Sequence, residues 1–187
     1  MINDHVADDP DQMLIRGMAA GDERAMDHLY ARHGHAVLGF LVARLGNRQQ
    51  AEEVLQDVML AAWNNADGFR GESKVRTWLL AIARNRAFNV QRGKKLSVTP
   101  LNDAFEVASE ETGPFERVAR NAQHSTLREA LDHLPAAQRE ILVLVFFHQL
   151  SGPEVAEVLG ISPGTVKSRL HRAKEALRRV LQSEGGL

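Results

Sequence analysis

The sequence predicts an all-α protein, two small helical domains joined by a flexible linker. Three observations predict it. Apolar residues recur three and four apart, the helical period, and no segment alternates at period two. The stretch from Gly93 to about residue 121 lacks a long apolar period, is acidic, and carries Pro100, Gly113 and Pro114. The stretch LSGPEVAEVLGISPGTVKSRLHRAKEALRR, residues 150–179, reads as two helices on a tight turn.

In chain order, residues 11–20 form a short amphipathic helix stopped at Gly21. Asp22 caps a longer helix through Leu45, with Ala25, Leu29, Val37, Leu38, Leu41 and Leu45 on its core side. Gly46-Asn47 breaks it, and residues 48–66 follow with Val54, Leu55, Val58, Met59 and Ala62 inward. The glycines of DGFRGES, 67–73, mark a loop, and residues 75–92 make the next helix. Within the linker a short helix is expected only around residues 115–120. The second unit starts near Gln123, with Leu127, Leu131 and Leu134 on one side. Pro135 restarts the chain as a helix through Phe147, rich in Ile141, Leu142, Leu144, Val145 and Phe146.

The last two helices carry the sharpest pattern. Val155, Ala156, Val158 and Leu159 give the first an apolar side. Gly160 stands where it must stop, a place that often needs a left-handed backbone. Ser162-Pro163 reads as an N-cap followed by a proline at the first helical position. Val166, Leu170, Ala173, Leu177 and Leu181 then form one buried stripe at helical period. At about 100° per residue, Gly164, Ser168, His171 and Arg172 point away from that stripe, flanked by Thr165, Lys167 and Arg169. Gly164 lets the backbone lie close to a phosphate, and the helix N-terminus favours that anion. Lys, Arg and Ser side chains suit base edges and phosphates. A surface helix pair with a solvated charged face is the plain alternative. Agreement of cap, turn, stripe and basic face weighs against it.

The chain has 187 residues, enough for one large domain or two small ones. Its formal charge is −1, but the charge is sorted: residues 71–98 hold seven Lys and Arg against one acid, and residues 163–182 hold six against one. Two basic helices in a nearly neutral protein suggest two separate DNA contacts. The absence of cysteine excludes disulfides, thiol catalysis and cysteine zinc sites, and fits a reducing cytosol. No run reaches the ~18 apolar residues of a membrane helix. The polar start MINDHVADDPDQ is unlike a signal peptide. A cytoplasmic protein without membrane insertion is expected.

Two further faces invite a role. On the helix of residues 75–92, Asn85 and Asn89 stand one turn apart, with Trp78 and Ile82 on the same line. A carboxamide offers donor and acceptor together, which reading a base edge requires. On the helix of residues 48–66, Glu52, Glu53, Gln56 and Asp57 cluster, and Leu60 and Trp63 continue the strip. A mixed acidic and apolar strip with an aromatic anchor suits a protein interface.

These residues resemble the bacterial sigma factors of the sigma-70 family, specifically the small extracytoplasmic-function (ECF) class. LPAAQREILVLVFFHQLSGPEVAEVLGISPGTVKSRLHRAKEAL is similar to sigma region 4. AEEVLQDVMLAAWNNADGFRG followed by TWLLAIARNRAFNVQR is similar to sigma region 2. The resemblance divides the chain into region 2 at residues 11–95, an acidic linker at 96–122 and region 4 at 123–183. It implies a dissociable subunit that guides core RNA polymerase to promoters and performs no chemistry of its own.

The resemblance also distributes roles. Gly164, Thr165, Lys167, Ser168, Arg169, His171 and Arg172 would read the −35 element as duplex. Asn85 and Asn89, with the loop 69–74, would hold a flipped base of the −10 non-template strand. Phe69 belongs to that loop. Lys74, Arg76, Arg84, Arg86, Arg92, Lys94 and Lys95 would supply phosphate contacts. Trp78 reads as core rather than a stacking platform. Glu52, Glu53, Gln56, Asp57, Leu60 and Trp63 would bind the β′ clamp helices, and region 4 the β flap. An anti-sigma factor is a further expected partner, and regulation within the chain is not expected.

Three rivals are weaker. A helix-turn-helix regulator acting without core polymerase leaves the asparagine-bearing helix and the acidic strip unexplained. A helical adaptor binding protein only would be excluded by DNA binding of its complex with core polymerase. An enzyme lacks a nucleophile–base constellation, a phosphate-binding glycine loop and a metal set. His28, His33 and His35 do not converge on one helix face. No cofactor and no metal are expected.

Overall fold

The structure, a computed structural model, describes residues 9–94, 127 and 129–184. The expected linker and its short helix at 115–120 lie outside the described residues, as does Lys95. Helices α1 (Gln12–Ala19), α2 (Glu23–Leu45), α3 (Arg48–Asn64) and α4 (Val75–Lys94) form the first half. Caps set their starts. The Asp22 carboxylate accepts from the Arg24 N–H at 3.0 Å, and the Asn47 side chain accepts from the Gln50 N–H at 2.8 Å. Gly46 ends α2 at φ +69°, where a side chain would be strained. A Cβ on Gly17 would stand 2.9 Å from the Ala25 Cβ, so α1 and α2 cross where only glycine fits.

Leu29, Phe40, Leu41, Val58, Leu79 and Leu80 fill the centre of this bundle. Polar groups pin α1 to it. Asp11 is buried and pairs with Arg32, and its other oxygen lies 2.6 Å from His33 Nε2. Asp9 reaches across the chain and accepts from the Val75 N–H at 2.7 Å, satisfying a donor at the start of α4.

The second half holds a helical turn at 129–132, then α5 (Ala136–Leu142), α6 (Gly152–Leu159) and α7 (Pro163–Glu184). Leu131 and Leu134 are buried as the pattern predicts. The regular helix expected through Phe147 is not what forms. After Leu142 the chain widens into a π-type turn, Val143–Phe147, closed by the His148 N–H on the Val143 carbonyl at 3.1 Å. The extra residue in the turn shifts the register. Phe146, expected among the apolar set, is 54% exposed, Phe147 is exposed too, and His148 is buried instead. Lys174 covers the Phe146 ring, 5.4 Å from its centroid. On α7, Val166 and Ala173 are buried, Leu170 and Leu177 half-buried, and Leu181 is exposed because the helix outruns its support.

The sequence pattern separates the halves, whereas the structure docks them. α4 packs against α6, and α2 against α5 and its π-type extension. The buried apolar residues of both halves form one continuous cluster. Among the described residues no helix is long and apolar enough to cross a membrane.

Candidate nucleic-acid interface

The helix-turn-helix is built as the sequence reads. The Glu154 carboxylate accepts from both the backbone N–H and the hydroxyl of Ser151, at 2.7 and 2.6 Å, fixing the start of α6. Gly160 turns the chain at φ +61°. The Ser162 hydroxyl accepts from the Thr165 N–H at 3.2 Å and touches its hydroxyl at 2.9 Å, which starts α7. Gly164, Lys167, Ser168, Arg169, His171 and Arg172 are all exposed, and Thr165 is half-exposed beside the cap. Arg172 Nε donates to the Ser168 carbonyl at 3.4 Å, and His171 lies 3.5 Å from Glu175. Among the described residues, Lys167, Arg169 and Arg172 pair with no carboxylate, so their charge is free to meet an anion.

The α4 face is different. Asn85, Arg86 and Asn89 are exposed. Phe88, which sequence reasoning passed over, stands beside them at 47% exposure, with the Arg92 guanidinium 5.9 Å from its ring centroid. Its signal was available: Phe88 falls outside the buried line Leu80, Ala83 and Ala87, so an aromatic was being shown to solvent. Phe69 does not stand free. It packs on Trp78 with ring centroids 4.9 Å apart, and both are half-buried.

Lys74, Arg76 and Arg84, also expected on this face, are engaged by the second half. Lys74 Nζ lies 3.0 Å from Glu154 Oε1. Arg84 Nε lies 3.3 Å from Glu140 Oε1, an ion-pair contact without hydrogen-bond alignment, and the same carboxylate oxygen pairs with Arg44 of α2. Arg76 Nη2 lies 3.2 Å from His148 Nδ1. A guanidinium only donates, so Nδ1 accepts and the imidazole is neutral. Burial first, and the Arg76 charge second, push the His148 pKa down to about 4. Its ring also meets Phe40 edge-on at 5.9 Å. Burial alone pushes the Glu154 carboxyl up. The Ser151 hydrogen bonds and Lys74 outweigh it, so the net shift is downward. Burial also lowers Arg76, partly offset by the charge of Glu154.

On α3, Glu52, Glu53, Gln56 and Asp57 are exposed, and Leu60 is 58% exposed. Trp63 is half-buried and lines a shallow pocket with Met18, Ala19, Gly21, Asn64 and Asp67. The strip is therefore contiguous with a notch beside its tryptophan. Of the histidine cluster, His33 is taken up by Asp11. Among the described residues no group of three His, Asp or Glu is placed to hold a metal ion.

A helix-turn-helix with an unpaired basic outer face is the architecture of a sequence-reading DNA-binding protein. The chain belongs to the sigma-70 family, in its ECF class: Sigma-70 region 2 matches residues 29–96 and Sigma-70 region 4 matches residues 124–177. It is 33% identical to the RNA polymerase sigma-H factor of Pseudomonas aeruginosa, over 92% of this chain and 94% of that one. It is 37% identical to the ECF RNA polymerase sigma factor SigM of Mycobacterium tuberculosis, over 91% and 84%. Among solved structures it is similar to CnrH in complex with the cytosolic domain of CnrY, with a TM-score of 0.68 and 28% identity over 92% of this chain and 97% of that one. The sigma factor RpoE of Bartonella quintana, in complex with the anti-sigma factor NepR, gives the same TM-score at 25% identity over 83% and 96%.

Proposed function

We propose that this chain is the dissociable subunit that directs core RNA polymerase to its promoters in the cytoplasm, performing no covalent chemistry itself. The observation that carries this reading is the presence of two unlike reading faces in one chain. The α7 face is a basic helix shaped for a major groove. Gly164, Thr165, Lys167, Ser168, Arg169, His171 and Arg172 take the −35 duplex. A Cβ on Gly164 would meet nothing nearer than 4.0 Å, so internal packing does not require glycine there. Close approach of a phosphate to the helix start does.

The α4 face suits single-stranded DNA, because carboxamides at Asn85 and Asn89 reach Watson–Crick edges only when bases have left the stack. Phe88 adds an exposed ring beside them on which a base can stack. Phe69, Lys74, Arg76, Arg84 and Arg86 complete that site, the last four by gripping phosphates. The strip Glu52, Glu53, Gln56, Asp57, Leu60 and Trp63 binds the β′ clamp helices, with Trp63 as its anchor, and region 4 meets the β flap. An anti-sigma factor is the further partner of this reading; the similar RpoE is solved in complex with the anti-sigma factor NepR.

The test is transcription in vitro with purified core polymerase. Initiation from a specific promoter only when the chain is added is the expected result. Binding to promoter DNA by the chain alone, without any gain in initiation, would mark it as an ordinary helix-turn-helix regulator.

A further inference from the structure

The start of α4 lacks what a helix start needs from its own neighbourhood. Lys74 stands just before the first helical residue, at the capping position, and a lysine side chain only donates. The first turn holds no acid, and Arg76 adds positive charge where the helix already presents its positive end. The missing acceptor comes from 66 residues upstream. Asp9 Oδ2 accepts from the Val75 N–H at 2.7 Å, and its Oδ1 accepts from the Asp11 N–H at 3.0 Å. Asp11 is in turn buried on Arg32 and His33 of α2. A chain of two acids therefore ties the head of α4 to α2.

The same segment backs the loop that leads into α4. Gly71 turns at φ +69°, and a Cβ there would stand 3.3 Å from Gln12 Oε1. Phe69, at the loop's other end, packs on Trp78 of α4 itself. The loop 69–74 is thus held at three points, and two of them belong to residues 9–12. The Sigma-70 region 2 match begins at residue 29, so that segment lies outside it.

We infer that Asp9, with Gln12, positions the base-selecting site for the −10 strand: it sets where the loop 69–74 ends and where the helix bearing Asn85 and Asn89 begins. The inference rests on α4 and its loop being the −10 reader. A site selects one base over another only if its groups are held to within about 0.5 Å of their working places. A loop pinned by Phe69 alone loses that precision at its far end. Asp9 is an anion and cannot itself grip a phosphate. It acts through the Val75 N–H, as a positioning residue.

Base selection can be read directly. Holoenzyme is mixed with a pool of fork-junction DNA whose single-stranded −10 segment is randomised, and the bound fraction is sequenced. Asp9→Ala should lower the enrichment of the preferred base about fivefold, the size of a lost helix cap. Asp9→Asn keeps an acceptor oxygen and should restore most of that enrichment. Binding to core polymerase should not change in either variant. Gly46→Ala separates positioning from stability, because it strains the turn between α2 and α3 instead, at φ +69°. It should lower the melting temperature about as much as Asp9→Ala does and leave the enrichment alone. Parental enrichment in Asp9→Ala overturns the inference and leaves Asp9 a plain helix cap. An equal loss in Gly46→Ala also overturns it. Should Asp9→Ala unfold by circular dichroism, Gln12→Ala must lower the enrichment in its place, since it frees the middle of the loop. The reading beneath fails separately: parental holoenzyme that enriches no base in the −10 segment overturns the −10 assignment, and the inference with it.

Discussion

The two basic helices hold their charge in opposite ways. On α7 the basic side chains are exposed, Arg172 and Arg179 lean on backbone carbonyls of the same helix, and Lys174 covers the Phe146 ring. At the entry to α4 and along it, the basic side chains at positions 74, 76 and 84 lean on acids and a histidine from the other half. The difference follows from what each helix packs on. α7 buries Val166 and Ala173 against its own unit and turns its charge outward. α4 buries Leu79, Leu80, Ala83 and Ala87 in its bundle and is then met from outside by α6. One basic face is open to solvent, and part of the other is engaged by the second half.

The largest effect that separates the two faces is acidification. His148 has a pKa of about 4 in the closed form, with the halves docked, against an ordinary 6.5, so closure favours the neutral ring. Stability from that preference is fully present above pH 6.5 and is lost as pH falls toward 4. The shift corresponds to about 3 kcal/mol. Glu154, whose carboxyl is also lowered, acts in the same direction over the lower part of that window. The charged groups facing this contact are Arg76 from α4, Lys74 from the residue just before it and Glu154 from α6, with Phe40 as the apolar wall from α2. Distances between fluorescent labels on Gln49→Cys and Arg178→Cys, exposed sites one on each half, should therefore lengthen between pH 6.5 and 4. His148→Phe should flatten the response in its upper half. A closed form that persists unchanged to pH 4 would place the ring outside the linkage. The exposed α7 face should show no comparable transition.

Next in size is Arg172→Ala on the open face. Loss of a base contact costs about 1–3 kcal/mol and relaxes preference at one position of the −35 element. Binding of holoenzyme to a set of −35 variants measures it. A uniform loss across the set would show a phosphate contact instead.

Much of this was legible in the sequence, and the limits have physical causes. Caps and turns are local chemistry, so Asp22, Asn47, Gly160 and Ser162 mark their helices within a residue or two. The α7 face was legible because one buried stripe fixes which side is out. The π-type turn was not. Val143–Phe147 reads as plain apolar helix, and only tertiary packing decides that His148 goes in and Phe146 comes out. The docking of the halves was equally hidden. Glu140 and Glu154 look like solvated helix acids until Arg44, Arg84 and Lys74, far away in sequence, are brought to them.

Asn85→Ala should have a smaller effect than Arg172→Ala, because it removes a side chain without breaking a bidentate cationic contact. One or two hydrogen bonds to a base are worth about 0.5–1.5 kcal/mol each, so promoter opening should fall about tenfold. Binding to core polymerase should not change. Permanganate footprinting of the opened strand and a core-binding titration read the two quantities separately. Equal loss in both would mean that Asn85 supports the fold or the polymerase contact.

The smallest expected effect is also the most specific to α7. Gly164→Ala places a methyl where no atom lies nearer than 4.0 Å, on backbone without positive φ. The folded chain should gain stability, by up to about 0.5–1 kcal/mol, because alanine loses less backbone entropy than glycine in a helix. If a phosphate sits against the helix start, the same methyl intrudes on it, and −35 affinity should fall a few-fold. Stability and affinity thus move in opposite directions from one substitution, which a merely solvated helix would not show. The control is Gly46→Ala, at φ +69° and away from either face, which should lower stability by about 1 kcal/mol and leave DNA affinity alone. Thermal melts and fluorescence anisotropy on a −35 duplex with holoenzyme decide it. An unchanged affinity for Gly164→Ala would move the phosphate away from the start of α7 and leave recognition to Lys167, Arg169 and Arg172.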